Sequence, residues 1–105
     1  MSEAQIRILT VDDHPLLRAG IAALISDETD MVLVAEAENG RDAIERFTRH
    51  RPDITLMDLQ MPEMDGLDAL EAIRRTDPDA RIVVLTTYPG DAQVLRALKA
   101  GAGIC

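Results

Sequence analysis

The sequence predicts an α/β fold built on one doubly wound parallel sheet. Short apolar runs (Ile6 to Val11, Ile54 to Met57, Ile82 to Leu85) alternate with segments of helical apolar spacing. That is the pattern of strands buried on both faces and joined by helical crossovers. The runs end in Asp12-Asp13, in Asp58 and in Thr86, so polar groups collect at the carboxyl edge of the sheet, where open α/β folds place ligand sites. The 105 residues allow one domain at most.

Residues 6–11 form the first strand. Pro15 suits a first helical turn, and Leu17, Ile21, Leu24 and Ile25 make an apolar stripe, so residues 15–26 form a helix. Asp27 to Asp30 is a polar turn, and residues 31–36 form the second strand. Asn39-Gly40 breaks the pattern. A helix over 41–50 follows, with Ala43, Ile44 and Phe47 inward, until Arg51-Pro52 stops it. Residues 54–58 form the third strand. The segment Met61 to Gly66 is a turn before a helix over 67–75, whose inward face holds Leu67, Leu70 and Ile73. Asp77-Pro78 turns the chain into a fourth strand over 81–86. A helix over 91–100 runs through Val94, Leu95 and Leu98 to a stop at Gly101. With right-handed crossovers, the flavodoxin-like strand order 2-1-3-4 sets the first and third strands side by side. Asp12, Asp13 and Asp58 then meet. A fifth strand and fifth helix are largely missing from the chain.

Composition narrows the function. Aromatic residues are 2% of the chain (Phe47 and Tyr88), so the core is aliphatic. A net charge of −8 argues against an unaided grip on nucleic acid or on an anionic membrane. No apolar stretch is long enough to span a bilayer, and Met1 to Gln5 lacks the form of a signal peptide. The single cysteine, Cys105, has no internal partner, which fits a reducing cytoplasm.

Adjacent carboxylates repel, and each requires a proton or a cation. Asp12 and Asp13 have a structural role open to them, capping the helix after His14-Pro15. Two carboxylates exceed what capping needs, which favours a Mg²⁺ site. Asp58 reads either as a turn residue or as a nucleophile that forms an acyl phosphate beside the ion. Thr86 reads either as ordinary β-propensity or as a hydroxyl donor to a phosphoryl oxygen. Thr87 points to the other face and is the weaker candidate. Lys99 reads as a solvated lysine late in a helix, and His14 and His50 as surface residues without metal-ligand spacing.

These residues carry a family resemblance. Val11-Asp12-Asp13-His14, the segment Met57 to Gly66, Leu85-Thr86 and Ala97 to Ala102 together resemble a bacterial two-component response regulator receiver domain, CheY-like in fold. In detail they are similar to the subgroup with a LuxR/NarL-type helix-turn-helix output domain. The resemblance implies a phosphoprotein switch in which Asp58 accepts a phosphoryl group from a sensor histidine kinase. It implies Mg²⁺ held by Asp12, Asp13, Asp58 and the backbone carbonyl of Gln60, with Thr86 as the switch hydroxyl. It implies a cytoplasmic signalling protein and not a turnover enzyme.

Two departures qualify the resemblance. The family's lysine after the fifth strand has no match, since Lys99 is not its counterpart, and neither has its switch aromatic, a role that Tyr88 does not take. Residues 1–105 then amount to a receiver domain cut short, with DNA reached only through an output domain absent from the chain. The fourth strand is expected to be a free edge, and one sheet face to be bare enough for two copies to pair as a homodimer. Two other functions compete: a phosphorylation-independent interaction module, and a Mg²⁺-dependent phosphatase with an aspartate nucleophile, for which no cap insertion is visible.

Overall fold

A computed structural model of the chain describes residues 5–58, 66–85, Lys99 and 103–104. In chain order it contains β1 (Ile6–Val11), α1 (Pro15–Ser26), β2 (Met31–Ala37), α2 (Gly40–His50), β3 (Ile54–Asp58), α3 (Gly66–Thr76), β4 (Ile82–Leu85) and β5 (Gly103–Ile104). The strands are parallel and lie in the order β2-β1-β3-β4-β5. The expected 2-1-3-4 order is therefore present, and β1 lies between β2 and β3.

One expectation is corrected. β4 is not a free edge, because Val83 and Val84 pair with Gly103 and Ile104 of β5. Two residues suffice to engage backbone groups that an edge strand would leave open. Thr86, Tyr88, Gln60 and most of the helix expected over 91–100 lie outside the described residues; Lys99 is helical and exposed.

The two sheet faces differ. Leu9, Val11, Met57, Ile82 and Val84 pack with Ala43 and Phe47 of α2 and with Ala69, Leu70 and Ile73 of α3 in one buried cluster. The opposite face carries Ile8 and Thr10, both buried, under α1. Further across that face, Ile54, Leu56, Val83 and Leu85 are only half-buried.

α1 departs from the expected stripe. Leu17 and Leu24 are 48% and 71% exposed, and Leu16 is 89% exposed. The inward positions are Arg18, Ile21, Ala22 and Ile25, a helical i, i+3, i+4, i+7 set rotated by one residue. The reason is Arg18. Its stem lies inward while its guanidinium reaches the Asp12 carbonyl at 3.2 Å and approaches Glu36 and Glu38 at 3.8 Å each.

Helix boundaries follow from local chemistry. Asn39 caps α2 by accepting the Asp42 N–H at 2.8 Å. Arg51 ends α2 in the left-handed region at φ 48°, where the following Pro52 disfavours a helical Arg51, and its guanidinium sits 5.4 Å over the Phe47 ring. Asp53 then fixes the start of β3 against β1. Its carboxylate accepts the Arg7 N–H at 2.8 Å and its N–H donates to the Arg7 carbonyl at 2.7 Å. That anchorage sets how far β3 runs, and so where Asp58 falls.

Candidate functional site

β1 delivers Asp12 to the carboxyl edge of the sheet. The Asp12 N–H donates to the Ala37 carbonyl at 3.0 Å, one step beyond the paired strands, and Arg18 holds the Asp12 carbonyl from α1. The side chain is 1% exposed. Neither aspartate caps α1 in the ordinary way: the N-cap position is His14, whose side chain makes no capping bond. Asp12 instead accepts the His14 N–H on Oδ1 at 2.7 Å, a tight local turn that folds His14 back over the aspartates.

Asp13, beside it, is 29% exposed, and Asp58 at the end of β3 is 16% exposed. β1 and β3 are neighbours in the sheet, so the structure brings Asp12, Asp13 and Asp58 together as their strand-end positions predicted. The gathering also includes His14. One ligand atom from each of Asp12, Asp13, His14 and Asp58 lies within 4.8 Å of every other. The imidazole Nδ1 is 2.8 Å from Asp12 Oδ1, 3.0 Å from Asp13 Oδ1 and 3.9 Å from Asp58 Oδ2. His14 is a surface residue as expected, 66% exposed, but its ring nitrogen is part of the cluster, which corrects its reading as a histidine without ligand spacing. The hydrogen bond to Asp12, then the charges of Asp13 and Asp12, raise its pKa above the ordinary 6.5.

The donor set fits a cation. Asp12 Oδ2 is buried and has no hydrogen-bond partner among the described residues. An unsatisfied carboxylate oxygen in the interior is costly, and an ion among these oxygens would remove the cost. Gln60 and Thr86, the other two expected site residues, lie outside the described residues. Thr86 follows Leu85 in sequence, and Leu85 is register partner to Asp58. Arg18 escaped the sequence reading altogether; its signal, a single basic residue within an apolar helix pattern, was weak.

The chain matches the response regulator receiver domain family over residues 8–104. It is similar to the response regulator protein VraR of Staphylococcus saprophyticus, 43% identical over 96 residues that cover 91% of this chain and 46% of the relative. The chain thus spans about half the length of the curated relatives it matches. Among solved structures it resembles the receiver domain of the putative response regulator NarL of Mycobacterium tuberculosis, with TM-score 0.89, 34% identity, and 97% of this chain and 83% of that one covered. A LuxR-family two-component response regulator from Aurantimonas sp. SI85-9A1 gives TM-score 0.89 at 39% identity, covering 96% of this chain and 73% of that one. The CheX–CheY–BeF3–Mg²⁺ complex of Borrelia burgdorferi gives TM-score 0.89 at 25% identity, covering 96% of this chain and 77% of that one.

Proposed function

The chain belongs to the response regulator receiver family, and from that premise we propose that Asp58 accepts a phosphoryl group from the phosphohistidine of a sensor histidine kinase. The observation that carries this reading is the convergence of the Asp12, Asp13 and Asp58 carboxylates at the ends of adjacent strands. One Asp58 oxygen attacks the phosphorus. An O–P bond forms, the N–P bond of the phosphohistidine breaks, and its electron pair returns to the kinase imidazole. Asp58 is then an acyl phosphate.

Asp12, Asp13, Asp58 and the backbone carbonyl of Gln60 hold Mg²⁺ in this reading. When bound, the ion offsets the negative charge that the nucleophile and the phosphoryl group bring together. The orphaned Asp12 Oδ2 supports that assignment, as does the presence of Mg²⁺ and BeF3 in the similar Borrelia complex. Arg18 keeps the Asp12 backbone in place without entering the chemistry. Thr86 donates its hydroxyl to a phosphoryl oxygen and so registers the modification. The chain is a cytoplasmic signalling switch and not a turnover enzyme; among the described residues no helix is long and apolar enough to cross a membrane. In the whole protein the switch governs a transcriptional output, as the likeness to a LuxR-family regulator suggests.

Intact mass after incubation with Mg²⁺ and acetyl phosphate tests the reading. One added phosphoryl group is expected in the parent and none in Asp58→Asn. A gain that persists in the variant removes Asp58 from the role. No gain in a folded, Mg²⁺-binding parent removes the function.

A further inference from the structure

His14 is not among the residues that the phosphoryl chemistry uses, yet its geometry is that of a ligand. We propose that His14 makes the acidic cluster a mixed nitrogen–oxygen site, which holds an imidazole-favouring divalent ion of the Zn²⁺ or Co²⁺ class more tightly than Mg²⁺. This rests on the reading of Asp12, Asp13 and Asp58 as an ion site and adds a fourth side chain and a change of preferred ion.

The distances carry the proposal. Neighbouring ligands each about 2.1 Å from a shared ion lie about 3 Å apart. His14 Nδ1 stands 2.8 Å from Asp12 Oδ1, in a hydrogen bond that a bound ion would replace with release of the ring proton, and 3.0 Å from Asp13 Oδ1. Its 3.9 Å from Asp58 Oδ2 leaves that oxygen on the far side of the same small volume. The imidazole is placed by the backbone as well as by its own contact, since the His14 N–H is already fixed on Asp12 Oδ1 at 2.7 Å. Asp12 Oδ2, buried and without a hydrogen-bond partner among the described residues, is a second observation that points to a cation. Carboxylate and carbonyl oxygens alone suit Mg²⁺, which keeps several waters and gains little from nitrogen; an imidazole shifts preference toward Zn²⁺ and its neighbours.

The test uses the 105-residue chain, freed of metal and titrated calorimetrically with Mg²⁺ and with Co²⁺, and the proton NMR spectrum of its Co²⁺ form. Co²⁺ is expected to bind more tightly than Mg²⁺ and to shift the ring C–H resonances of one histidine far outside the ordinary range. His14→Ala and His14→Gln are each expected to lose those resonances and at least about tenfold in Co²⁺ affinity, with Mg²⁺ affinity changed less than about threefold. His50→Gln, altered at the C-terminus of α2 and so at the opposite sheet edge, is expected to keep both. An unshifted histidine spectrum in the parent, or the same Co²⁺-to-Mg²⁺ ratio in parent and His14 variants, overturns the inference and leaves the carboxylate site standing. Binding of neither ion to the parent overturns the site itself. If a His14 variant fails to fold, the parent spectrum and the His50→Gln assignment still decide.

Discussion

Asp12 answers two needs with its two oxygens. Oδ1 holds the His14 N–H and imidazole, while Oδ2 is buried and without a hydrogen-bond partner among the described residues. A buried carboxylate oxygen left so is costly, and an ion at the cluster would remove the cost. His14 reports the metal-free state. Its pKa is raised by its hydrogen bond to Asp12 and by the charge of Asp13. A group raised on folding contributes stability that is fully present below its unfolded value of about 6.5 and is lost as pH climbs through the folded value. An NMR titration of the His14 ring in metal-free protein is therefore expected to give a midpoint above 6.5, and in Asp13→Asn a midpoint moved back toward it; an unmoved midpoint would show that Asp13 does not act on the ring. The three aspartates were legible in the sequence because each closes an apolar strand, and strand ends in a parallel sheet share an edge. His14 was not, because its place depends on a backbone turn that residue types alone do not show.

At the scale of elements, periodicity gives which residues share a helix face but not which face turns inward. In α1 the leucines suggested Leu17 and Leu24, whereas the inward set includes a half-buried arginine. A charged residue with a long apolar stem is invisible to a pattern of apolar letters. In α3 the half-buried Arg74 likewise donates to a backbone carbonyl, that of Ala80 at 2.6 Å, but beside the apolar stripe and without displacing it. The inward Ala43 and Phe47 of α2 and Leu70 and Ile73 of α3 match the reading, while the Leu67 side chain lies outside the described residues. α1 is also weakened from within by Gly20, which is exposed and borders open space: beyond its own helical turn, no atom lies within 4 Å of where a Cβ would stand. Gly20→Ala removes backbone freedom from the unfolded chain and adds no clash. It is expected to raise stability by about 0.5–1 kcal/mol, read as a higher midpoint in urea with an unchanged slope. Because Gly20 faces away from the sheet, phosphorylation of Asp58 is expected to proceed as before.

At the scale of the whole molecule, a net charge of −8 is borne by a small domain whose carboxylates are partly gathered at one sheet edge. Self-repulsion of this kind destabilises the compact state and is relieved by salt or by a bound cation. The site is then held at a cost to the fold, as functional sites often are. Asp13→Asn separates the two effects. At alkaline pH, where His14 is neutral, the loss of one like charge is expected to stabilise the metal-free protein by about 1 kcal/mol, roughly 4–8 °C in melting temperature for a domain of this size. Mg²⁺ at a hundredfold excess over its dissociation constant adds about 2.7 kcal/mol to a protein that binds it only when folded. The parent is expected to show that increment beyond what equal ionic strength of a monovalent salt supplies. Asp13→Asn at the same Mg²⁺ concentration is expected to lose most of it, so that the variant is the more stable protein without Mg²⁺ and the less stable one with it. Melting curves for both proteins, with and without Mg²⁺ at matched ionic strength, check this directly. If the two proteins keep the same order in both buffers, the aspartates are not held apart by function, and the charge at this edge belongs to the surface alone.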